Sequence, residues 1–150
     1  MSYKYDPSAF NDTVYVKEEG KFPFHVKSVE FTFTPTAVLI AKMILEREDG
    51  AVTTSKLFGK PEKSGQWTRL NQFIGSTSTK AEIEGLLAKG EFDITDDFIK
   101  SVCERSVGRR LMGEVRKEEY TKRDGTPGVA YSVSFYRPHA EGPVHADGPF

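Results

Sequence analysis

Apolar and polar residues alternate with a period of two along the first and last thirds of the chain, the signature of half-buried β-strands. Lys21 to Phe33 (KFPFHVKSVEFTF) puts Phe22, Phe24 and Val26 on one face, then Val29, Phe31 and Phe33. The change from even to odd positions at Ser28 flips the buried face, as a β-bulge or sharp bend would. Thr34-Pro35-Thr36 breaks the strand. Ala37 to Arg47 has residues that could form a helix, but the β-rich start and the Asp49-Gly50 turn signal favour a strand and a hairpin. Ala51 to Phe58 is the returning strand, ended by Gly59-Lys60-Pro61.

The period changes in the middle. Gln66 to Ile74 aligns Trp67, Leu70, Phe73 and Ile74 on one helical face, with Ser64 and Gly65 at its start and Gly75 at its end. That grouping predicts core packing for Trp67. A second helical stretch covers Ala81 to Ala88, and Asp93 to Val102 reads as a third short helix or a loop with one turn. Alternation then returns. Arg109 to Tyr120 and Gly128 to Arg137 flank a connector containing Asp124-Gly125, which predicts a long β-hairpin. Val129, Tyr131, Val133 and Phe135 fall on one side of its second strand. Residues 1–20 read as an irregular arm with one short apolar piece, Thr13 to Val16. Pro138 closes the last strand, and 139–150 (HAEGPVHADGPF) reads as a flexible tail.

A bent strand, a strand hairpin, a helical insert and a second hairpin make a mainly β architecture, a β-barrel with helices between strands 3 and 4. This is the element order of a five-stranded OB-fold. The barrel domain is expected over 1–138, followed by the tail. At 150 residues one core is sufficient without disulfides. Eleven Phe and six Tyr suit β structure. Cys103 is the only cysteine and reads as a small buried hydrophobe. Met1 to Phe10 shows no signal peptide, and the longest apolar stretch, Ala37 to Leu45, is interrupted by Lys42. A soluble, cytoplasmic protein without a membrane partner is expected.

Net charge is −1, which is unpromising for binding phosphates, yet the distribution is uneven. From Lys100 to Arg137 there are nine Lys/Arg against five Asp/Glu, a local excess of +4. Enzyme chemistry has little support. The three His residues (25, 139, 145) are scattered, and no Cys/His metal spacing or Gly-rich phosphate loop is present. Asp96 and Asp97 read as helix-start residues favoured by the dipole rather than as a metal site with Asp93. No cofactor and no catalytic residue are expected.

Several segments together resemble phage-encoded single-stranded DNA-binding proteins of OB type. They are Gly20–Glu30, Lys42–Gly50, Trp67–Gly75, and Val107–Tyr120 followed by the Lys-Arg-Asp-Gly loop and Val129–Arg137. The resemblance covers about residues 20–138. It implies sequence-nonspecific binding of single-stranded DNA in phage replication or recombination, within the host cytoplasm. The ending Ala146-Asp147-Gly148-Pro149-Phe150 is similar to the acidic tails of such proteins, which often close on Pro-Phe. Asp147, Pro149 and Phe150 would then recruit a replication or recombination enzyme. Only Glu141 and Asp147 are acidic here, fewer than such tails usually carry. Oligomeric state stays open, a homodimer included.

Candidate nucleic-acid contacts follow from residue type and position. Lys122 and Arg123 sit at the hairpin tip, where OB-folds flank their groove. Arg109 and Arg110 open the same hairpin, and Arg116 and Tyr120 share its polar face, with Tyr120 a candidate stacking platform. Lys27, Lys42 and Lys56 interrupt otherwise apolar strands, so each should point into the groove or to solvent. Phe31 and Phe33 could stack or fill the core. The alternative is a small β-barrel adaptor for a phage or host protein, without nucleic-acid binding.

Overall fold

The computed structural model describes residues 14–61 and 64–144. Its elements run β1 (Gly20–Phe33), β2 (Leu39–Glu46), β3 (Val52–Phe58), α1 (Ser64–Thr77), α2 (Lys80–Lys89), α3 (Asp96–Ser106), β4 (Arg110–Thr121) and β5 (Pro127–Arg137). All five expected strands are present, the expected Ala37–Arg47 stretch forms a strand over Leu39–Glu46 rather than a helix, and three helices separate β3 from β4. The strands are ordered β1-β2-β3-β5-β4, and β4 pairs back onto β1, so the sheet closes in a ring.

The long first strand makes the closure possible. At about 3.3 Å per residue a straight 14-residue strand would overrun any small ring, so β1 must bend. Its register against β2 slips between Val26↔Leu45 and Ser28↔Ile44, leaving Lys27 as the extra residue of a bulge. The first half, Gly20 to His25, pairs with β4, and the second half with β2. The bulge lets Phe24 and Val26 on one side of it, and Val29 and Phe31 on the other, all pack towards the same core.

Along β2 the alternation is clean. Leu39, Ala41, Met43 and Leu45 are buried, so Ile40, Lys42, Ile44 and Glu46 face outward. Leu111, Gly113 and Val115 fill the inner side of β4. On β5 the pattern departs from the sequence expectation. The register slips between Glu114↔Phe135 and Val115↔Val133, so Ser134 is bulged out. Phe135 therefore turns outward, 39% exposed, and Tyr136 turns into the core. Tyr136 is kept there because its ring meets Phe73 edge-on at 5.2 Å, its N–H donates to Gln72 Oε1 at 3.1 Å, and its hydroxyl meets Ser55 Oγ.

α1 contacts β3, β4 and β5, and α3 contacts β1 and β2, so the two helices between them touch every strand. Leu70 and Phe73 of α1 and Ile99, Val102 and Cys103 of α3 are buried. Burial pushes the Cys103 thiol up to about 12, which makes it inert at neutral pH. Trp67 does not join the core. It lies in the first turn of α1, a turn ahead of Leu70, and is 42% exposed. α1 also runs past Gly75, with Thr77 Oγ1 donating back to the Phe73 carbonyl at 2.8 Å.

The weakest seam in the ring is between β3 and β5, which share a single parallel bridge, Thr54↔Ser132. Buried hydroxyls strengthen it. Thr53 Oγ1 donates to the Tyr131 carbonyl at 3.1 Å, and Ser55 Oγ to the Val133 carbonyl at 3.0 Å. Ser55→Ala would deprive that carbonyl and the Tyr136 hydroxyl of a partner, and should cost about 2 kcal/mol. A fall in the urea midpoint at constant m would show it; an unchanged midpoint would mean the seam does not depend on Ser55.

Candidate nucleic-acid interface

The outward face of β2 and β3 is set by the inward one. With Leu57 and Ser55 turned inside, Thr54, Lys56 and Phe58 point out beside Ile40, Lys42 and Ile44. The register places Lys42 directly opposite Lys56, flanked by the pairs Ile44↔Thr54 and Ile40↔Phe58. Like charges in that relation destabilise a sheet. Among the described residues neither lysine is in an ion pair. The row continues around the ring, because Thr54 pairs with Ser132 and Ser132 with Arg116. Three strand spacings, about 14 Å, thus separate Ile44 from Arg116 along one outward row.

Arg116 is half exposed. It pairs with Glu114 at 3.2 Å and lies 5.5 Å from the centre of the outward-turned Phe135 ring. Further along the strand, Tyr120 faces Gly128 across the hairpin. A Cβ at position 128 would come within 2.6 Å of the Tyr120 ring, so only glycine lets the ring lie there. The ring is still 50% exposed. Every residue from Arg116 to Pro127 is exposed, and this end of the hairpin stands out as a ribbon. At its tip the turn is closed by Lys122 N–H to Thr126 O at 2.8 Å and by Gly125 at φ +85°. Asp124 accepts from the Thr126 hydroxyl and N–H, which hold its carboxyl below the usual range. Lys122 and Arg123 project from this turn.

A groove of about 560 Å³ lies between the ribbon, the start of β3 and the N-terminal segment, lined by Tyr15, Lys17, Lys117, Val129 and Tyr131 among others. The segment is held by backbone bonds, Val16 N–H to Val52 O at 2.9 Å and Val52 N–H to Val14 O at 2.8 Å. Sequence reasoning missed these residues. The only hint was the short apolar piece ending at Val16, whose side chain is buried while Tyr15 stays 59% exposed.

Three candidate cations are engaged elsewhere. Arg109 donates to Glu82 at 2.5 Å and to the Thr77 carbonyl at 2.9 Å, fastening α2 to the start of β4. Arg110 donates to the carbonyls of Glu141, Gly142 and Val144 and pairs with the Glu141 carboxylate at 3.2 Å. Part of the expected flexible tail, 141–144, is therefore gripped by β4. Lys27 meets Glu46 at 3.1 Å, where His25 also approaches. Lys42, Lys56, Arg116, Tyr120, Lys122 and Arg123 remain on open outward faces. Phe31 packs against the core. Phe33 is 56% exposed, with Lys100 Nζ 5.6 Å from its ring centre. Asp147, Pro149 and Phe150 lie outside the described residues.

The chain matches no protein-family model and no curated protein. Function has to be read from the site itself. Among the described residues no His, Cys, Asp and Glu are grouped to hold a metal ion, and Asp96 and Asp97 occupy the first turn of α3 behind the Thr95 cap. None of the described helices is long and apolar enough to cross a membrane.

The β1–β2 loop, at one end of the β2–β3 face, carries the only non-glycine residue with positive φ among those described, Ala37 at φ 64°. Its turn is fixed by Ala37 N–H to Thr34 O and Val38 N–H to Thr34 Oγ1. Ala37→Gly should relieve the left-handed strain and raise stability by about 0.5 kcal/mol, net of the added freedom of the unfolded chain. A lower melting temperature for the variant would contradict this.

Proposed function

We propose that this protein is an OB-fold that binds single-stranded DNA without sequence preference and acts in phage DNA replication or recombination. The strand order, the helical insert between β3 and β4, and the bent first strand support the fold assignment. The observation that carries the functional reading is the uncommitted Lys42–Lys56 pair on the β2–β3 face. Two opposed cations weaken a sheet unless something anionic sits between them, and OB-folds bind oligonucleotides on this face, between the β1–β2 and β4–β5 loops. Phosphates would follow Lys42, Lys56, Arg116, Lys122 and Arg123. Bases would stack on exposed rings, with Tyr120 the foremost. Such contacts read backbone and ring faces rather than base edges, hence the lack of sequence preference. Asp147, Pro149 and Phe150 would recruit a partner enzyme.

Titration with a fluorescent oligo-dT and a duplex of equal length, each at two salt concentrations, tests the reading. The single strand should bind more tightly and weaken as salt rises. No binding at low salt, combined with a protein partner retained through nuclease treatment and high salt, would select the adaptor function instead.

A further inference from the structure

We infer that the helical surface formed by α1, α2 and the α2–α3 loop is a separate docking site for a basic amphipathic segment of a partner protein. α2 is the unusual element. None of its ten residues is buried, although it contains Ile83, Leu86 and Leu87, and Leu87 is 76% exposed. Polar contacts hold the helix. Thr79 and Glu82 form a reciprocal capping box, and Glu82 is gripped by Arg105 and Arg109. Its apolar side chains are therefore left for something other than the core.

Two grooves adjoin this surface and share Phe92 and Asp93 as a common wall. One, of about 760 Å³, is lined by Trp67, Asn71 and residues 90–94. The other, of about 490 Å³, lies between α2 and α3 and includes Leu86 and Phe98. Trp67 and Phe92, at 42% and 41% exposure, are the kind of half-open aromatic that anchors protein interfaces. The charge around them selects the occupant. The larger groove has Glu91 and Asp93 and no Lys or Arg. The smaller sets Asp93 and Asp97 against Lys89, which lies over the Phe92 ring, and Arg105, which is tied to Glu82 and Ser78, so the excess of carboxylates belongs to the larger groove. Carboxylates repel phosphate, so nucleic acid is disfavoured here. A second copy would bring the same acidic rim against itself. Lys and Arg flanking Leu or aromatic residues answer both the rim and the floor.

The test uses the full chain and two labelled 18-residue amphipathic peptides, one of Leu and Lys, the other with Glu in place of every Lys. Trp67 is the chain's only tryptophan and reports from within the site. The Lys peptide should bind and shift Trp67 emission to the blue, and the Glu peptide should do neither. Phe92→Ala and Leu86→Ala should each weaken the Lys peptide at least tenfold, and Glu91→Lys with Asp93→Lys should abolish binding. Far-UV circular dichroism should stay unchanged in all of them, and oligo-dT affinity in the two alanine variants. The inference is overturned if Lys-peptide binding survives Phe92→Ala, or if the Glu peptide binds equally well. It is also overturned if the face instead mediates self-association that Phe92→Ala removes.

Discussion

Replacing Lys42 and Lys56 together with glutamine should weaken oligo-dT binding at least tenfold while leaving the fold slightly more stable. The two side chains face each other on the outer side of β2 and β3, and neither has an ion-pair partner among the described residues. Each phosphate neutralised on a single strand contributes about 0.7 to the slope of log affinity against log salt, so losing two contacts should flatten that slope by about 1.4. Glutamine keeps most of the side-chain length, so packing of the stems is largely retained. Removing a directly opposed like-charge pair should raise stability by a few tenths of a kcal/mol. The opposite signs are the point: a pair kept for structure would lose stability and leave affinity alone. Anisotropy titrations over a salt series, with urea unfolding of the same samples, measure both. Unchanged affinity and slope would remove this pair from the interface.

Glu82→Gln should destabilise the fold by about 2 kcal/mol at neutral pH, the largest stability loss expected from any single charge. Glu82 is three-quarters buried and is the common partner of Arg105, at 3.2 Å, and Arg109, while also closing the α2 capping box through the Thr79 N–H at 2.8 Å. Breaking a fully buried pair costs about 3–5 kcal/mol because a charge is left stranded, and partial solvent access at this site reduces that figure. The same geometry fixes a pH dependence. Partial burial would raise the Glu82 carboxyl, but the Arg109 and Thr79 hydrogen bonds and the nearby charges of Arg105 and Arg109 outweigh it and hold the group at about 2, against an ordinary 4.5. A carboxyl held low in the folded state stabilises fully above about pH 4.5, and that contribution is lost as pH falls from there towards 2. Urea unfolding at pH 7, 4.5 and 3 should show wild-type stability falling along the acid limb, with a distinctly flatter fall in Glu82→Gln. Parallel acid limbs would place the titrating group elsewhere.

Much of the ring is legible in the sequence, because alternation reports directly which face of a strand is buried. The phase change at Ser28 marks the β1 bulge, and Asp49-Gly50 and Asp124-Gly125 mark the two hairpin turns. Once the first turn is placed, antiparallel pairing puts Lys42 against Lys56. The misreadings share one cause, the lack of long-range partners in a one-dimensional pattern. Val133 and Phe135 look like one face until β4 imposes the bulge at Ser134 and sends Tyr136 inward to Ser55 and Phe73. Arg109 and Arg110 look available until Glu82, 27 residues earlier, and the 141–144 segment, more than 30 residues later, take them up. Trp67 keeps helical spacing with Leu70 and Phe73, but spacing cannot show that the core ends one turn before it. The Tyr15–Lys17 wall of the ribbon groove depends on a bridge to Val52 that no local pattern encodes.

Backbone amide chemical-shift mapping of the protein with oligo-dT at low salt examines the outer β2–β3 face most directly. Shifts are expected to concentrate in residues 40–46, 52–58 and 116–123 and to collapse as salt is raised. Shifts confined to residues 64–97, or none anywhere at saturating oligonucleotide, would contradict the assignment of a single-stranded DNA track to this face.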